Sequence, residues 1–222
     1  MEPVTLLELP GELLIGIVAL CDAFTLMMLE CTCKSLRAEV AARMVGKVRE
    51  TPKPKLWMSA CESGRLEVLK YLHESGTPGG GSHGYLIMDL AARKGHLDVL
   101  RWQHANRQEG CSKDAMNCAA GNGHLDVVQW LHENRGEGCT TSAMDHAAHN
   151  GHLVVVKWLH ENRREGCSTW AMDYAARNGH LNVVKWLHEN RQEGCTAWAI
   201  ERNRHLDVVQ WLQENLFAVH NS

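Results

Sequence analysis

The sequence has 222 residues, of which 45% are hydrophobic, and its 23 Lys and Arg against 26 Asp and Glu give a formal net charge of −3. This length and apolar content allow a folded core, and the lack of a basic excess excludes the usual electrostatic signature of a nucleic-acid-binding protein. The nine cysteines are odd in number, and Glu2, Glu8 and Glu12 stand where a secretion signal needs basic residues. We therefore expect reduced thiols and an intracellular protein, cytoplasmic or nuclear.

The first 45 residues have a helical pattern of their own. Pro10 is suited to a helix start, and Leu13 and Ile17 share one helical face. The apolar run 13–29 is short for a membrane span and contains Asp22, so we expect no span. The pattern predicts a small helical module over 1–45.

This module resembles an F-box, the helical motif that docks on the Skp-family linker of cullin-RING ubiquitin ligases. The resemblance rests on the Leu-Pro-x-Glu-Leu-Leu start and a later Cys-Lys pair, whereas Thr32 and Leu36 replace the usual valine and aromatic residue. It implies a set of linker-binding residues: Leu9, Pro10, Leu13, Leu14, Ile17, Leu26, Leu29, Cys33 and Lys34. The alternative is an amphipathic cap that seals the first repeat.

A linker over 46–55, with prolines at 52 and 54, precedes an array of repeats over 56–222. Gly-His pairs begin at Gly95, Gly123, Gly151 and Gly179, 28 residues apart. This period defines six units: unit 1 (56–76), unit 2 (82–109), unit 3 (110–137), unit 4 (138–165), unit 5 (166–193) and a degenerate unit 6 from 194. The Gly-rich stretch 77–82 is predicted to be a mobile loop.

Each unit predicts two helices. In unit 5, Met172, Ala175 and Ala176 form an apolar stripe on the first helix, and a second apolar run follows the break at Gly179. One such pair cannot bury its apolar face alone, so neighbouring units must stack. The predicted fold is an all-α solenoid of helix-turn-helix repeats with a small N-terminal helical module.

The repeats resemble ankyrin repeats, because Ala-Ala is followed after two residues by Gly-His-Leu and then by Val-Val and a bulky apolar pair. They are shorter than the usual 33 residues and lack the Thr-Pro-Leu-His start. Unit 6 loses three residues, and Arg204 replaces its glycine. Terminal units of solenoids are atypical, so unit 6 is interpreted as a cap.

Periodic residues that could suggest chemistry are better explained as scaffold. The four cysteines 111, 139, 167 and 195 recur once per unit, and helices about 8–10 Å apart would separate the sulfurs too far for one zinc ion. The histidines after glycine are predicted to hydrogen-bond the backbone, and the periodic tryptophans to pack in the core. No catalytic constellation is present, so we predict no enzyme activity, no metal and no cofactor.

Binding is predicted where the period is broken. The resemblance to ankyrin repeats implies that first helices and turns form a concave recognition face, with candidate residues Asp89, Arg93, Asn117, Asp145, His146, His149, Trp170, Asp173, Tyr174, Arg177 and Trp198. Trp170 and Trp198 are expected to be anchors; the alternative is that they are merely solvated or pack on adjacent turns. The leading hypothesis is a ubiquitin-ligase adaptor whose repeats bind a target protein, without nucleic acid or membrane partners. The alternative is a binding scaffold with no ligase link.

Overall fold

The computed structural model of the protein describes residues 53–74, 76, 84–201 and 203–217. The predicted F-box-like module and the predicted loop 77–82 lie outside the described residues. The contacts divide the chain after Pro52, and the unit that begins at Lys53 is the one described below. In that part of the chain the secondary structure is helical and contains no strand. None of its helices has the length and apolar character that a membrane crossing requires.

The helices come in pairs, one pair for each sequence unit. In chain order they are α1 (Lys53–Glu62), α2 (Leu66–Glu74), α3 (Tyr85–Lys94), α4 (Leu97–Asn106), α5 (Lys113–Gly121), α6 (Leu125–Asn134), α7 (Thr141–His149), α8 (Leu153–Asn162), α9 (Thr169–Arg177) and α10 (Leu181–Asn190). Unit 6 has a 3₁₀ helix (Ala197–Ala199), α11 (Leu206–Leu212) and a π-helical turn (Gln213–Phe217). The predicted all-α repeat solenoid is confirmed.

The start of the array differs from the prediction. The linker was predicted to reach residue 55, but α1 already begins at Lys53 and contains Pro54. Proline is tolerated in the first helical turn because the N–H groups there have no intrahelical acceptor. The proline that seemed to exclude a helix therefore lies at its start.

Small residues let the first helices of successive units pack closely. Ala119 and Ala120 on α5 and Ala147 and Ala148 on α7 are all fully buried. Along the array α1 packs on α3, α3 on α5, α5 on α7, and α7 on α9. The buried residues of the second helices join them in one continuous core. Each unit thus buries its apolar face against its neighbours, as a solenoid requires.

The histidine that follows each glycine lies on the glycine of the preceding unit. Gly95 has a φ of +77°, and a β-carbon there would lie 2.7 Å from Nδ1 of His124. The other ring nitrogen of His124 is 3.1 Å from the carbonyl oxygen of Arg93, and His96 makes the same contact with Glu62 at 3.0 Å. The predicted backbone hydrogen bonds are confirmed for these two histidines, at the joint between units 1 and 2 and at the joint between units 2 and 3.

A second set of contacts that repeats from unit to unit lies at the ends of the second helices. The ring of Trp158 and the ring of His132 from the preceding unit meet edge to face, with ring centroids 5.3 Å apart. Arg163 donates a hydrogen bond to Nδ1 of His132 at 3.2 Å and forms an ion pair with Glu165. The equivalent tryptophans are buried or partly buried against the core, as predicted. The roles of the arginine and the glutamate were not predicted, although both recur with the period.

Unit 6 keeps its junction although its first helix is reduced to a 3₁₀ turn. Nδ2 of Asn203 donates to the carbonyl oxygen of Ala176 at 2.9 Å. One unit earlier, Asn178 donates to the carbonyl oxygen of His149 at 2.9 Å, so the acceptor in unit 6 is shifted by one residue along the first helix of the preceding unit. Leu212 remains fully buried, so the predicted core register of this unit is confirmed.

Candidate protein-binding surface

Four of the predicted recognition residues are buried and hold the scaffold together, which corrects their assignment to an exposed face. Asp89, Asn117, Asp145 and Asp173 are between 2% and 7% exposed. Each accepts the backbone N–H of the serine or threonine that caps the first helix of the next unit. For Asp145 the partner is Ser168, whose N–H and hydroxyl lie 2.8 Å from the two carboxylate oxygens.

The physical reason for this correction is the loop between units. These positions lie opposite the alanine stripe on an isolated helix, where a side chain would be solvated. In the array the next unit's loop passes over them. Ser168 accepts from the N–H of Trp170 while it donates to Asp145, so the carboxylate supports a helix cap one unit away.

The cysteines at the loops are part of the core. Cys139 and Cys167 are buried, and burial raises the pKa of each thiol to about 11. A buried thiol with a raised pKa is a poor nucleophile and a poor metal ligand. Within the described part of the chain, no three His, Cys, Asp or Glu side chains are grouped so as to hold a metal ion.

Trp170, Tyr174 and Trp198 form an exposed group of rings on the first helices of units 5 and 6. The Tyr174 ring lies between the two indoles, with centroid distances of 6.0 Å to Trp170 and 5.8 Å to Trp198, both edge to face. Trp170 is 60% exposed and Trp198 is 46% exposed. Large aromatic surfaces left open to solvent in an ordered arrangement are typical of protein-binding sites.

Two further predicted residues complete this group, and we call the five together the aromatic cluster. The ring of His149, from unit 4, lies 5.1 Å from the ring of Tyr174. Burial lowers the pKa of His149, so its ring is neutral near pH 7. The guanidinium carbon of Arg177 lies 4.2 Å from the ring centre of Trp198. Arg177 therefore supplies the permanent charge of the cluster.

The residues of the cluster are related by a spacing along the sequence, which the prediction did not use because it considered each position separately. Arg177 and Trp198 are 21 residues apart, and so are His149 and Trp170. Stacking of units 5 and 6 places the first of these pairs side by side, and the rings of His149 and Trp170 both contact Tyr174. The two remaining candidates lie elsewhere along the array: His146 is exposed on α7, and exposed Arg93 on α3 donates to Sγ of Cys118 at 3.5 Å.

Comparison with known proteins identifies the repeats. A family model for ankyrin repeats (3 copies) matches residues 89–173, 115–197 and 146–221. Together these matches extend over more than half of the 222 residues. A search of curated proteins returned no match. The matched region, the paired helices and their stacked joints agree, and the chain belongs to the ankyrin-repeat family.

Proposed function

We propose that the protein is an adaptor that binds a target protein through the aromatic cluster and couples it to a ubiquitin ligase through residues 1–45. Ankyrin-repeat chains are typically protein-binding scaffolds rather than enzymes. Our proposal goes further, because it names the surface that binds the target and the partner of residues 1–45.

The exposure of Trp170 and Trp198 is the observation that carries the target-binding proposal. Neither indole is needed to close the core, since both remain about half exposed in the stacked array. Tyr174 holds the two rings in a fixed arrangement, so little side-chain entropy is lost when a partner binds. A rigid aromatic surface of this kind supplies most of the binding energy in many protein interfaces.

The ligase link rests on the sequence of the N-terminal residues. Their Leu-Pro-x-Glu-Leu-Leu start and Cys-Lys pair resemble an F-box, for which the bound partner is a Skp-family linker. An adaptor of this type performs no chemistry and instead raises the concentration of its target near the ligase. The array from Lys53 onward is a separate unit, which is the arrangement that such an adaptor needs.

One experiment tests both halves. The full-length protein, a deletion of 1–45 and the double variant Trp170→Ala/Tyr174→Ala are each affinity-captured from cells and compared for bound Skp-family linker and for other bound proteins. We expect the deletion to lose the linker but keep the target. The double variant should keep the linker and lose the target.

A matched control separates the cluster from the rest of the surface. Val154 is 66% exposed on the second helix α8 and is not part of the aromatic cluster, and Val154→Ala should leave both interactions intact. Retention of the linker after deletion of 1–45 would reject the ligase proposal. Retention of every bound protein by the double variant would reject the proposed target surface.

A further inference from the structure

Arg177 is held at the surface in a way that leaves its hydrogen-bond donors free. Its guanidinium stacks on the indole of Trp198, with 4.2 Å between the guanidinium carbon and the ring centre. Stacking uses the face of the guanidinium and leaves the N–H groups along its edge pointing away from the ring. The side chain is exposed, and its contact with Trp198 favours this orientation of the guanidinium before any partner arrives.

No carboxylate in the described part of the chain forms an ion pair with Arg177. The arginines of the inter-unit loops differ, since each pairs with the glutamate two residues later: Arg107, Arg135, Arg163 and Arg191. Asp173, one turn before Arg177, is buried and accepts both hydrogen bonds of Thr196. In a chain with a net charge of −3, the residues that the structure describes leave Arg177 as a cation without a carboxylate partner beside exposed rings.

We infer that the aromatic cluster binds a segment of the partner protein that carries an Asp or Glu next to an apolar or aromatic residue. This inference rests on the proposed target surface. The carboxylate receives two N–H groups from the edge of Arg177, a geometry in which arginine is superior to lysine. The neighbouring apolar side chain covers Trp170 and Trp198, removing their exposed indole surface from water.

The experiment is a selection with random peptides displayed on phage, made in parallel against the full-length protein and its variants. Arg177→Gln removes the charge and leaves a polar, uncharged side chain that is two atoms shorter. Lys185→Gln is the matched control, because it removes one exposed positive charge from the second helix of the same unit. We expect the wild type and Lys185→Gln to enrich peptides in which an acidic residue adjoins an apolar one. Arg177→Gln should lose the acidic preference.

A selected peptide is then synthesised and its affinity measured. We expect Arg177→Gln to weaken binding about tenfold, as for loss of a charge-assisted hydrogen bond. Raising NaCl from about 50 to about 300 mM should weaken binding to the wild type more than to Arg177→Gln. Replacing the peptide's acidic residue by phosphoserine should not tighten binding; a gain of about tenfold would reassign the site to phosphate.

The remaining outcomes separate a failure of this inference from a failure of the proposed target surface. Peptides that need Trp170 and Tyr174 but show no acidic preference, or that bind Arg177→Gln equally well, would overturn the inference and leave the target surface standing. If no peptide is enriched, or if the enriched peptides bind Trp170→Ala/Tyr174→Ala as tightly as the wild type, both the surface and the inference are overturned.

Discussion

The imidazole ring of His152 lies against the α-carbon of Gly123 in the preceding unit. A β-carbon at Gly123 would lie 2.7 Å from Nδ1 of His152, well inside van der Waals contact. The glycine also has a φ of +79°, which side chains rarely adopt. The repeated Gly-His pair therefore joins two units: the glycine of one unit receives the histidine of the next.

We expect Gly123→Ala to lower the free energy of unfolding by roughly 3 kcal/mol, through backbone strain and displacement of the His152 ring. Gly194→Ala is the control, because Gly194 has a φ of +68° but nothing within 4 Å of a β-carbon. The control should cost only about 1 kcal/mol. Urea unfolding measures both, and equal losses would show that the ring contact is not tight.

Gln103 is a polar residue at a core position of α4. Its side chain is 5% exposed, and its amide donates to Sγ of Cys61 at 3.2 Å. Its Oε1 has no hydrogen-bond partner among the described residues. Equivalent positions in later units hold leucine, such as Leu131 and Leu159. We therefore expect the joint between units 1 and 2 to be weaker than the later joints.

Gln103→Leu should raise the free energy of unfolding by about 1–2 kcal/mol, because it removes an unpaired buried acceptor. The reverse exchange, Leu131→Gln, should lower it by about 3 kcal/mol. Thermal and urea unfolding provide the comparison. A destabilised Gln103→Leu protein would contradict this prediction and would mean that the hydrogen bond to Sγ of Cys61 outweighs the cost of the unpaired Oε1.

Asp145 supports the helix cap of the following unit through Ser168. Asp145→Ala should cost about 2 kcal/mol, since it leaves the partly buried N–H and hydroxyl of Ser168 without their acceptor. Asp145→Asn should cost less than about 1 kcal/mol, because Asn117 already accepts the N–H of Thr140 at 3.0 Å at the same position of unit 3. Similar losses in the two variants would contradict this role.

Acid should destabilise the array as the pH falls below about 6.5. Burial, followed by the charges of His124 and His180, lowers the pKa of His152 in the folded protein below its usual 6.5. The unfolded chain then binds protons more readily, so stability is full above pH 6.5 and falls as the pH drops below it. The thermal midpoint should decrease over this range. His152→Gln should be less stable at the higher pH but should show a shallower pH dependence.

An internal unit should be removable without loss of the fold. Deletion of 138–165 takes out α7 and α8 and brings the glycine of unit 3 under His180 in place of His152. We expect a helical protein that still unfolds cooperatively, with a lower thermal midpoint because one stacked joint is lost. Deletion of half a period, 138–151, removes one helix of a pair and should prevent cooperative unfolding. Circular dichroism distinguishes the two.

The fold was predictable because each unit repeats the same pattern of apolar and helix-breaking residues at a strict period. The spacing of Ala175 and Ala176, the break at Gly179 and the following apolar run fix two helices and their stripes. The start of α1 was missed, because Pro54 indicates either a break or a first helical turn and the sequence alone does not distinguish them.

The candidate surface was predictable only in part. Tyr174 and Arg177 were found because their positions vary between units, and Trp170 because it lies beside a turn on the face that the ankyrin resemblance implies. Asp145 and its equivalents were assigned to the same face because the helical wheel of one unit contains no information about the loop of the next. Reading residues in pairs 21 and 23 positions apart would have separated the two groups, since those offsets join Arg177 to Trp198 and Asp145 to Ser168.

The residues of unit 6 that would contact a following unit differ from those at the same positions of the earlier units. Arg204 stands where each earlier unit offers a glycine, and Gln213 stands where each earlier unit offers a histidine to the next tryptophan. A head-to-tail contact that repeats without closing would propagate from molecule to molecule as a filament. Because both receiving positions differ in unit 6, we expect a further copy of the repeat to stack less tightly on this unit than on an earlier one.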